Sequence, residues 1–288
     1  MKTEAENELH ELVTKWTSFM KWRSDYEEWI KNRLWQELFQ AAHINGLKEL
    51  IGELSGKKVL DLGCGMGGFS VALTQRGVTV IALDCNPDYC KITRLRGERY
   101  GLKVSPINGV GEYLPLRSEQ FDMVVLSDVL EHVQNPHKVL KEVYRVLKSR
   151  GSTYVTVVNK FTFNDPHYHL RFINWLPQKI AEWYIEKRKR SKSYAPFKDR
   201  QRLSEMHYFT FREFTNLART AGFYIKDPNW DKLNNPSTII SHRLRSYAIC
   251  LKTLRLTKIA YTITPILYYL LQSSFTLVLM KSPKQISE

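Results

Sequence analysis

The sequence predicts an α/β fold, a mainly parallel sheet with helices on both faces. Three observations predict it. Between residues 58 and 158, short β-branched runs alternate with amphipathic helical stretches, the order that builds βαβ units. The runs are apolar almost throughout, as strands covered on both faces are. The first run closes in Gly63-Cys64-Gly65-Met66-Gly67-Gly68, a turn that leads from a strand straight into a helix.

Each element has its own signal. Residues 5 to 54 read as helical, with Trp16, Phe19 and Met20, and then Trp29, Leu34, Leu38 and Phe39, at helical spacing. Gly46 and Gly52 punctuate the end of this segment. Strands follow at Lys58 to Leu62, Val78 to Leu83, Lys103 to Ile107, Phe121 to Ser127 and Thr153 to Val158. Helices lie between them at Phe69 to Arg76, Pro87 to Tyr100 and Pro136 to Lys148, the last stopped by Gly151. After Asn159 the alternation lapses, and residues 160 to 206 are aromatic and then charged. Phe211 to Ala221 reads as a helix ended by Gly222, with a strand at Phe223 to Lys226. Residues 227 to 273 read as mainly helical, and Phe275 to Met280 as a seventh strand.

The chain of 288 residues has a hydrophobic fraction of 43% and a net charge of +14. That fraction argues against disorder, and that charge favours anionic partners. Cys64, Cys85, Cys90 and Cys250 form no C-x-x-C pair and no zinc-like spacing, so no metal is expected. Scattered thiols fit a reducing, cytoplasmic setting. The acidic start has no apolar h-region, so no secretory signal is expected. From Ile259 to Met280 there is no charge. That length suffices for a bilayer span, but Thr262, Thr264, Pro265, Gln272, Ser273 and Ser274 dilute it, and the segment reads as buried core.

Glycines let a backbone approach a ligand closely, and a helix N-terminus favours polar or anionic groups. Gly63, Gly65 and Gly68 satisfy G-x-G-x-x-G, which alone fits a dinucleotide site. Three additions sharpen this. Asp61 lies two residues before the first glycine. Asp84 ends the second strand, where a carboxylate can accept from ribose hydroxyls. Phe121 to Val133 runs from a buried strand into the polar cluster Ser127-Asp128-Val129-Leu130-Glu131-His132.

With these motifs the chain resembles the class I S-adenosylmethionine-dependent methyltransferases, in the broad group that includes the ubiquinone- and menaquinone-pathway enzymes. The resembling residues are Val59 to Gly68, Asp84, Gly111 to Leu116, Phe121 to Val133, Leu140 to Gly151 and His207 to Gly222. The resemblance implies a Rossmann-like seven-stranded mixed sheet with the last strand antiparallel, and S-adenosyl-L-methionine as cofactor. It implies that Gly63, Cys64, Gly65 and Gly67 pack against the cofactor, with Asp61 beneath the methionine moiety and Asp84 on the ribose. Val110 and Gly111 would line the adenine, and Ser127 would offer its carbonyl. Cys85, Glu112 and Asp128 belong to the same set. The family usually has Asp where Val110 stands, so the backbone or Glu112 must meet the adenine amino group.

A base for methyl transfer is best near neutral, which points to histidine. His167 is the first candidate, in Asn164-Asp165-Pro166-His167-Tyr168-His169 just after the fifth strand. Asp165 would orient it, while Tyr168 and His169 line the substrate pocket. His132 is a further catalytic candidate, with a structural role as its alternative, and His207 could face the substrate pocket, with capping or packing as its alternative.

Lys187 to Lys192, with Lys198, Arg200 and Arg202, is a basic run interleaved with Trp175, Trp183, Tyr184 and Tyr194. It fits a solvated helix face, an anionic membrane surface or RNA. The expected organisation is a helical segment 1–54, a cofactor core 55–160, an aromatic and basic insertion 161–206, and a part 207–288 with the insertion 227–273. The insertions should form a helical cap and, together with the N-terminal helices, the substrate cover. The expected activity is methylation of an oxygen on a small-molecule or lipid-like acceptor by a cytoplasmic protein, peripheral to a membrane. The alternatives are methylation of tRNA or rRNA through residues 187–202, and a non-catalytic cofactor-binding partner subunit.

Overall fold

The computed structural model describes residues 4–21, 23–189, 201–226, 235–238, 242–259 and 273–282. Its centre is a seven-stranded sheet. The strands are β1 (Lys58–Leu62), β2 (Thr79–Asp84), β3 (Ile107–Asn108), β4 (Phe121–Leu126), β5 (Leu147–Val158), β6 (Phe223–Lys226) and β7 (Ser274–Lys281). They lie in the order β3-β2-β1-β4-β5-β7-β6. The first five pair in parallel, and β7 runs antiparallel to both β5 and β6. The strand order reverses between β1 and β4. A ligand crevice therefore opens beyond their carboxyl ends.

The helices are α1 (Glu4–Thr17), α2 (Tyr26–Leu34), α3 (Ala41–Ile51), α4 (Gly68–Thr74), α5 (Pro87–Glu98), α6 (Pro136–Val146), α7 (Gln178–Lys189), α8 (Phe211–Thr220) and α9 (His242–Thr253). Their starts are written locally. Asn86 and Asn135 each precede a proline and accept a backbone N–H of the first turn, from Asp88 and Lys138, both at 3.0 Å. Thr210 and Glu213 form a reciprocal capping box on α8.

One face of the sheet buries Leu60, Leu62, Val124, Leu126 and Val155 against α6 and α8. The other buries Val59, Met123 and Val125 against Ile44 and Leu47 of α3 and Ala72 and Leu73 of α4. Outside this core, Leu9 and Val13 of α1 pack on Ile92 and Leu95 of α5. Arg96, fully buried, ties the N-terminal helices to the glycine loop. Its guanidinium pairs with buried Glu37 and donates to the carbonyls of Arg33, Leu34 and Met66. An unpaired buried charge would be costly, so these contacts hold as a set.

Several boundaries differ from the sequence reading, and those of the third strand, the sixth helix and the fifth strand have clear causes. The third strand is Ile107–Asn108, not Lys103 to Ile107: only Ile107 and Asn108 pair with β2, and Lys103 and Ser105 stay exposed or half-exposed beside buried Val104. The sixth helix ends at Val146, because the chain is already extended at Leu147, and β5 starts there. Its register on β4 then jumps from Phe121↔Leu147 to Met123↔Ser152. Gly151 sits in this irregularity, where a Cβ would lie 2.9 Å from the Lys148 carbonyl. Of the uncharged segment 259–280, the described part from Ser274 is a core strand with Phe275, Leu277 and Leu279 buried. Residues 260–272 lie outside the described residues, as do most of 227–241. Among the described residues no helix is long and apolar enough to cross a membrane.

Candidate functional site

The glycine loop leaves β1 at its carboxyl end. Gly63 and Cys64 both donate to the Leu83 carbonyl on β2, at 2.8 and 3.0 Å. Gly63, Gly65 and Gly67 all have positive φ, which L-residues with a Cβ rarely adopt. Gly63 also meets a close approach, since a Cβ there would lie 2.5 Å from Val129 Cγ2. Gly63→Ala is therefore expected to destabilise the fold by about 2–4 kcal/mol. A denaturant midpoint within error of the parent's would overturn this. Gly65 is different: a Cβ there meets no protein atom within 4 Å. The loop thus leaves a cradle open at that point.

The cradle belongs to a cavity of about 590 Å³ beyond the ends of β1 and β4. Asp61, Gly63, Cys64 and Gly65 form one wall, and Ser127, Asp128 and His132 another. The roof comes from the N-terminal helices through Trp16, Trp29, Arg33, Gln36, Gln40 and His43. The sequence reading assigned none of these roof residues to the site. A partial signal existed, because Trp29 and Arg33 stand four apart on α2, and the guanidinium lies 5.1 Å from the Trp29 ring centroid.

The two acidic residues differ in environment. Asp84 accepts from Gly65 N at 2.8 Å and Asn86 N at 2.9 Å, one on each oxygen. Each oxygen can accept once more. Burial still holds its carboxyl above the ordinary range. Asp61 is buried and accepts from the Ser70 hydroxyl. Burial pushes its carboxyl up to about 6, with the Ser70 bond opposing and the Asp84 charge adding to the rise.

A carboxyl whose folded pKa exceeds its unfolded one stabilises the fold below the unfolded value, and that stabilisation is lost as pH rises through the folded value. For Asp61 the window runs from about 4 to about 6. Asp61→Asn removes this dependence. Relative to the parent, and without cofactor, it should gain roughly 3 kcal/mol between pH 4 and pH 7. Chemical denaturation at both pH values reads this, and a pH-independent difference would sink it.

Adenine-side candidates fall differently. Val110 is exposed and Cys85 is exposed. Gly111 is buried, where a Cβ would lie 3.2 Å from Val139. Glu112 Oε1 accepts from Gln134 N at 2.8 Å and Asn135 N at 3.2 Å, so it fastens the turn that starts α6. Gly67 lies behind the cradle against Thr93.

Beside the cavity, two histidines from separate segments meet. His132 Nε2 and His167 Nε2 are 3.2 Å apart. Their other ring nitrogens fix the tautomers. Gln201 Nε2 donates to the His132 carbonyl at 2.9 Å, which leaves its Oε1 to accept from His132 Nδ1 at 3.1 Å. Tyr208 Oη stands 2.9 Å from His167 Nδ1 and donates its own O–H to the Met206 sulfur at 3.5 Å. The phenol oxygen is then the acceptor, and His167 Nδ1 donates to it. Both Nε2 lone pairs then converge. Buried Glu131 lies 3.9 Å from His167 Nε2, with its carboxyl pushed up to about 8 by burial. Such a convergence can take up one proton, or one cation, between the rings. The three ligand atoms lie within 4.8 Å of one another. No cysteine or histidine spacing announced this cluster, because His132 and His167 are 35 residues apart.

The other candidates are placed as follows. Asp165 accepts the backbone N–H groups of His167 and Tyr168 and the Asn174 amide, and so fixes the turn that carries His167. Tyr168 is buried, with its hydroxyl donating to the Gln201 carbonyl; it lines a separate pocket beside α7, with Trp183 and Arg202, and not the glycine-loop cavity. His169 is exposed in a left-handed turn. His207 stacks on Phe209 at 6.3 Å and donates its N–H to the Glu131 carbonyl. Neither lines the cavity. Of the basic run, residues 190–200 lie outside the described residues.

Comparison with known proteins agrees with this geometry. Residues 60–155 match the family model described as a methyltransferase domain. A ubiquinone biosynthesis O-methyltransferase of Pseudomonas fluorescens is 35% identical over 121 residues, 41% of this chain and 50% of that protein. One from Xylella fastidiosa is 35% identical over 108 residues, 37% of this chain and 44% of that protein. The chain spans about half the length of the curated relatives it matches. Among solved structures, an S-adenosylmethionine-dependent methyltransferase from Mesorhizobium loti superposes with a TM-score of 0.52 at 16% identity. That match covers 84% of this chain and 98% of the other, and shows the fold. With the strand order and the open glycine cradle already described, residues 60–155 carry a methyltransferase domain.

Proposed function

We propose that the chain methylates an oxygen of a hydrophobic, lipid-like small molecule, a phenolic or quinol-type hydroxyl being the acceptor class. One observation carries the reading. The cavity that holds the glycine cradle is also lined by His132, one half of the convergent histidine pair.

The residues fit the cofactor. The cradle at Gly65 admits a group where no side chain intrudes, and Asp84 keeps acceptor capacity on both oxygens. Arg33 brings a cation to the cavity roof, where a carboxylate can be met. S-adenosylmethionine supplies a sulfonium-activated methyl carbon when bound. The protein supplies alignment, dryness and a proton acceptor. Trp16, Trp29, Met66, Phe69 and Tyr89 give the cavity its apolar surface, which suits an aromatic or prenyl-like acceptor. As the acceptor oxygen takes the methyl group, its proton passes to the Nε2 atoms of His132 and His167. Tyr208 and Gln201 hold both rings ready to receive it.

The curated relatives are named for oxygen methylation in ubiquinone biosynthesis. Their similarity covers the cofactor half, so the acceptor is read from this cavity instead. Incubating the protein with methyl-labelled cofactor and fractionated cell extract tests the reading. Label is expected in the organic-soluble fraction. Label in RNA would replace the reading with the RNA alternative, and cofactor binding without any transfer would replace it with the partner-subunit alternative.

A further inference from the structure

We propose that the face formed by Phe161, Phe163, Phe172, Trp175, Ile180 and Trp183 docks onto an anionic lipid bilayer. The insertion that follows β5 turns its large apolar side chains outward. These six residues are between 39% and 61% exposed. The inward side of α7 is complete without them, since Ala181 and Ile185 are buried in a cluster with Tyr168 and Ile173. Ile180 and Trp183 lie on the opposite side of the same helix, where a helix facing water carries polar groups. Large apolar side chains gathered on one insertion in this way mark a contact.

The presentation is built rather than incidental. Phe163 and Phe172 meet edge to face at 4.3 Å, and Phe172 meets Trp175 at 5.8 Å. Trp175 Nε1 donates to the Phe161 carbonyl at 3.0 Å. Phe172 has φ +61, a conformation that is unfavourable for a bulky aromatic residue. It is held there by its N–H on the Phe163 carbonyl at 2.8 Å. The strained backbone keeps an aromatic ring half outside the protein.

Charge selects the partner. Lys179, Lys187 and Arg188 are exposed on the same helix, and Lys187 Nζ lies 5.1 Å from the Trp183 ring centroid. In sequence the run continues through Lys189, Arg190 and Lys192. Aromatic side chains seat at the headgroup level while cations meet anionic lipids. A purely apolar protein partner would gain nothing from that cationic fringe. Each cation near such a surface is worth roughly fivefold in affinity, so three give on the order of 100-fold at low salt. The face adjoins the segment that carries Asp165 and His167. Docking would bring the site mouth to the bilayer, but it stands whether or not the acceptor is a lipid.

Co-sedimentation of the full chain tests docking by binding alone. The probes are vesicles of phosphatidylcholine with phosphatidylglycerol, and vesicles of phosphatidylcholine only. The protein is expected to pellet with the first and stay in solution with the second. Trp175→Ser with Trp183→Ser should weaken pelleting by more than tenfold, as should Lys187→Gln with Arg188→Gln. Cofactor affinity by calorimetry stays at the parent value in both, which shows that each variant is folded. Phe172→Asn, which suits the left-handed backbone, should weaken pelleting without loss of thermal stability. The proposal is overturned by a folded parent protein that pellets with neither vesicle. Pelleting that ignores the aromatic substitutions would also overturn it, by reducing the contact to charge. A soluble dimer that the tryptophan substitutions dissociate would overturn it too, by assigning the face to a second copy.

Discussion

Asp84→Ala is expected to weaken S-adenosylmethionine binding by on the order of 100-fold or more. The carboxylate has two tasks. It holds the glycine loop through Gly65 N at 2.8 Å and the following turn through Asn86 N at 2.9 Å. It also stands at the end of β2, where it can accept from ribose hydroxyls. A hydrogen bond to a charged group contributes about 1.5–3 kcal/mol. Losing the ribose contacts and loosening the cradle together exceeds a factor of 100. Calorimetric titration reads the result, and near-native affinity would remove Asp84 from the site. Asp84→Asn separates the two tasks. It keeps one acceptor and loses the charge, so its affinity should fall between parent and alanine variant. The Asp84 charge also raises the Asp61 carboxyl. In Asp84→Ala the Asp61 titration should therefore move toward lower pH.

Sequence periodicity carries the sheet well and the roof poorly. Strands β1, β2 and β4 are short buried runs whose pattern has no rival reading, and Gly63 to Gly68 marks where the chain turns into a helix. β3 is legible only in part, since an edge strand of two residues needs no apolar run. The cavity walls follow from the ends of β1 and β4, which are neighbours in the sheet. That the N-terminal helices help to cover the site is expected from the sequence, but which of their residues meet the cavity is not, because the placement of α1 to α3 depends on the buried Arg96 network, a tertiary contact. Glu112 illustrates another limit. A carboxylate beside the adenine candidates invites a binding role, and sequence alone does not reveal that one of its oxygens is engaged by two backbone N–H groups of the next turn. Tyr168 shows the same limit, because proximity in sequence to His167 says nothing of which pocket a side chain turns toward.

The histidine pair was within reach of topology. β4 and β5 are adjacent and parallel, so the segments leaving their carboxyl ends, with His132 and His167, emerge side by side. What topology omits is orientation, and orientation decides the chemistry. His167→Ala is expected to lower turnover by about 10²–10⁴, the range of general acid–base catalysis, with cofactor affinity unchanged. The same loss is expected of His132→Ala, and the double variant should be little worse than either, because two nitrogens share one proton. Multiplied losses in the double variant would separate the residues. Tyr208→Phe is the finer test. It removes the acceptor that fixes His167 Nδ1–H, so the ring can turn its proton toward His132. Turnover should fall by roughly tenfold and the acid limb of the pH–rate profile should change, with KM nearly constant. A Tyr208→Phe enzyme with parental kcat and pH profile would show that the tautomer is fixed by something else. Unchanged turnover in His167→Ala would show that the acceptor loses its proton directly to water. The pair would then be a polar contact whose strength is read in stability alone.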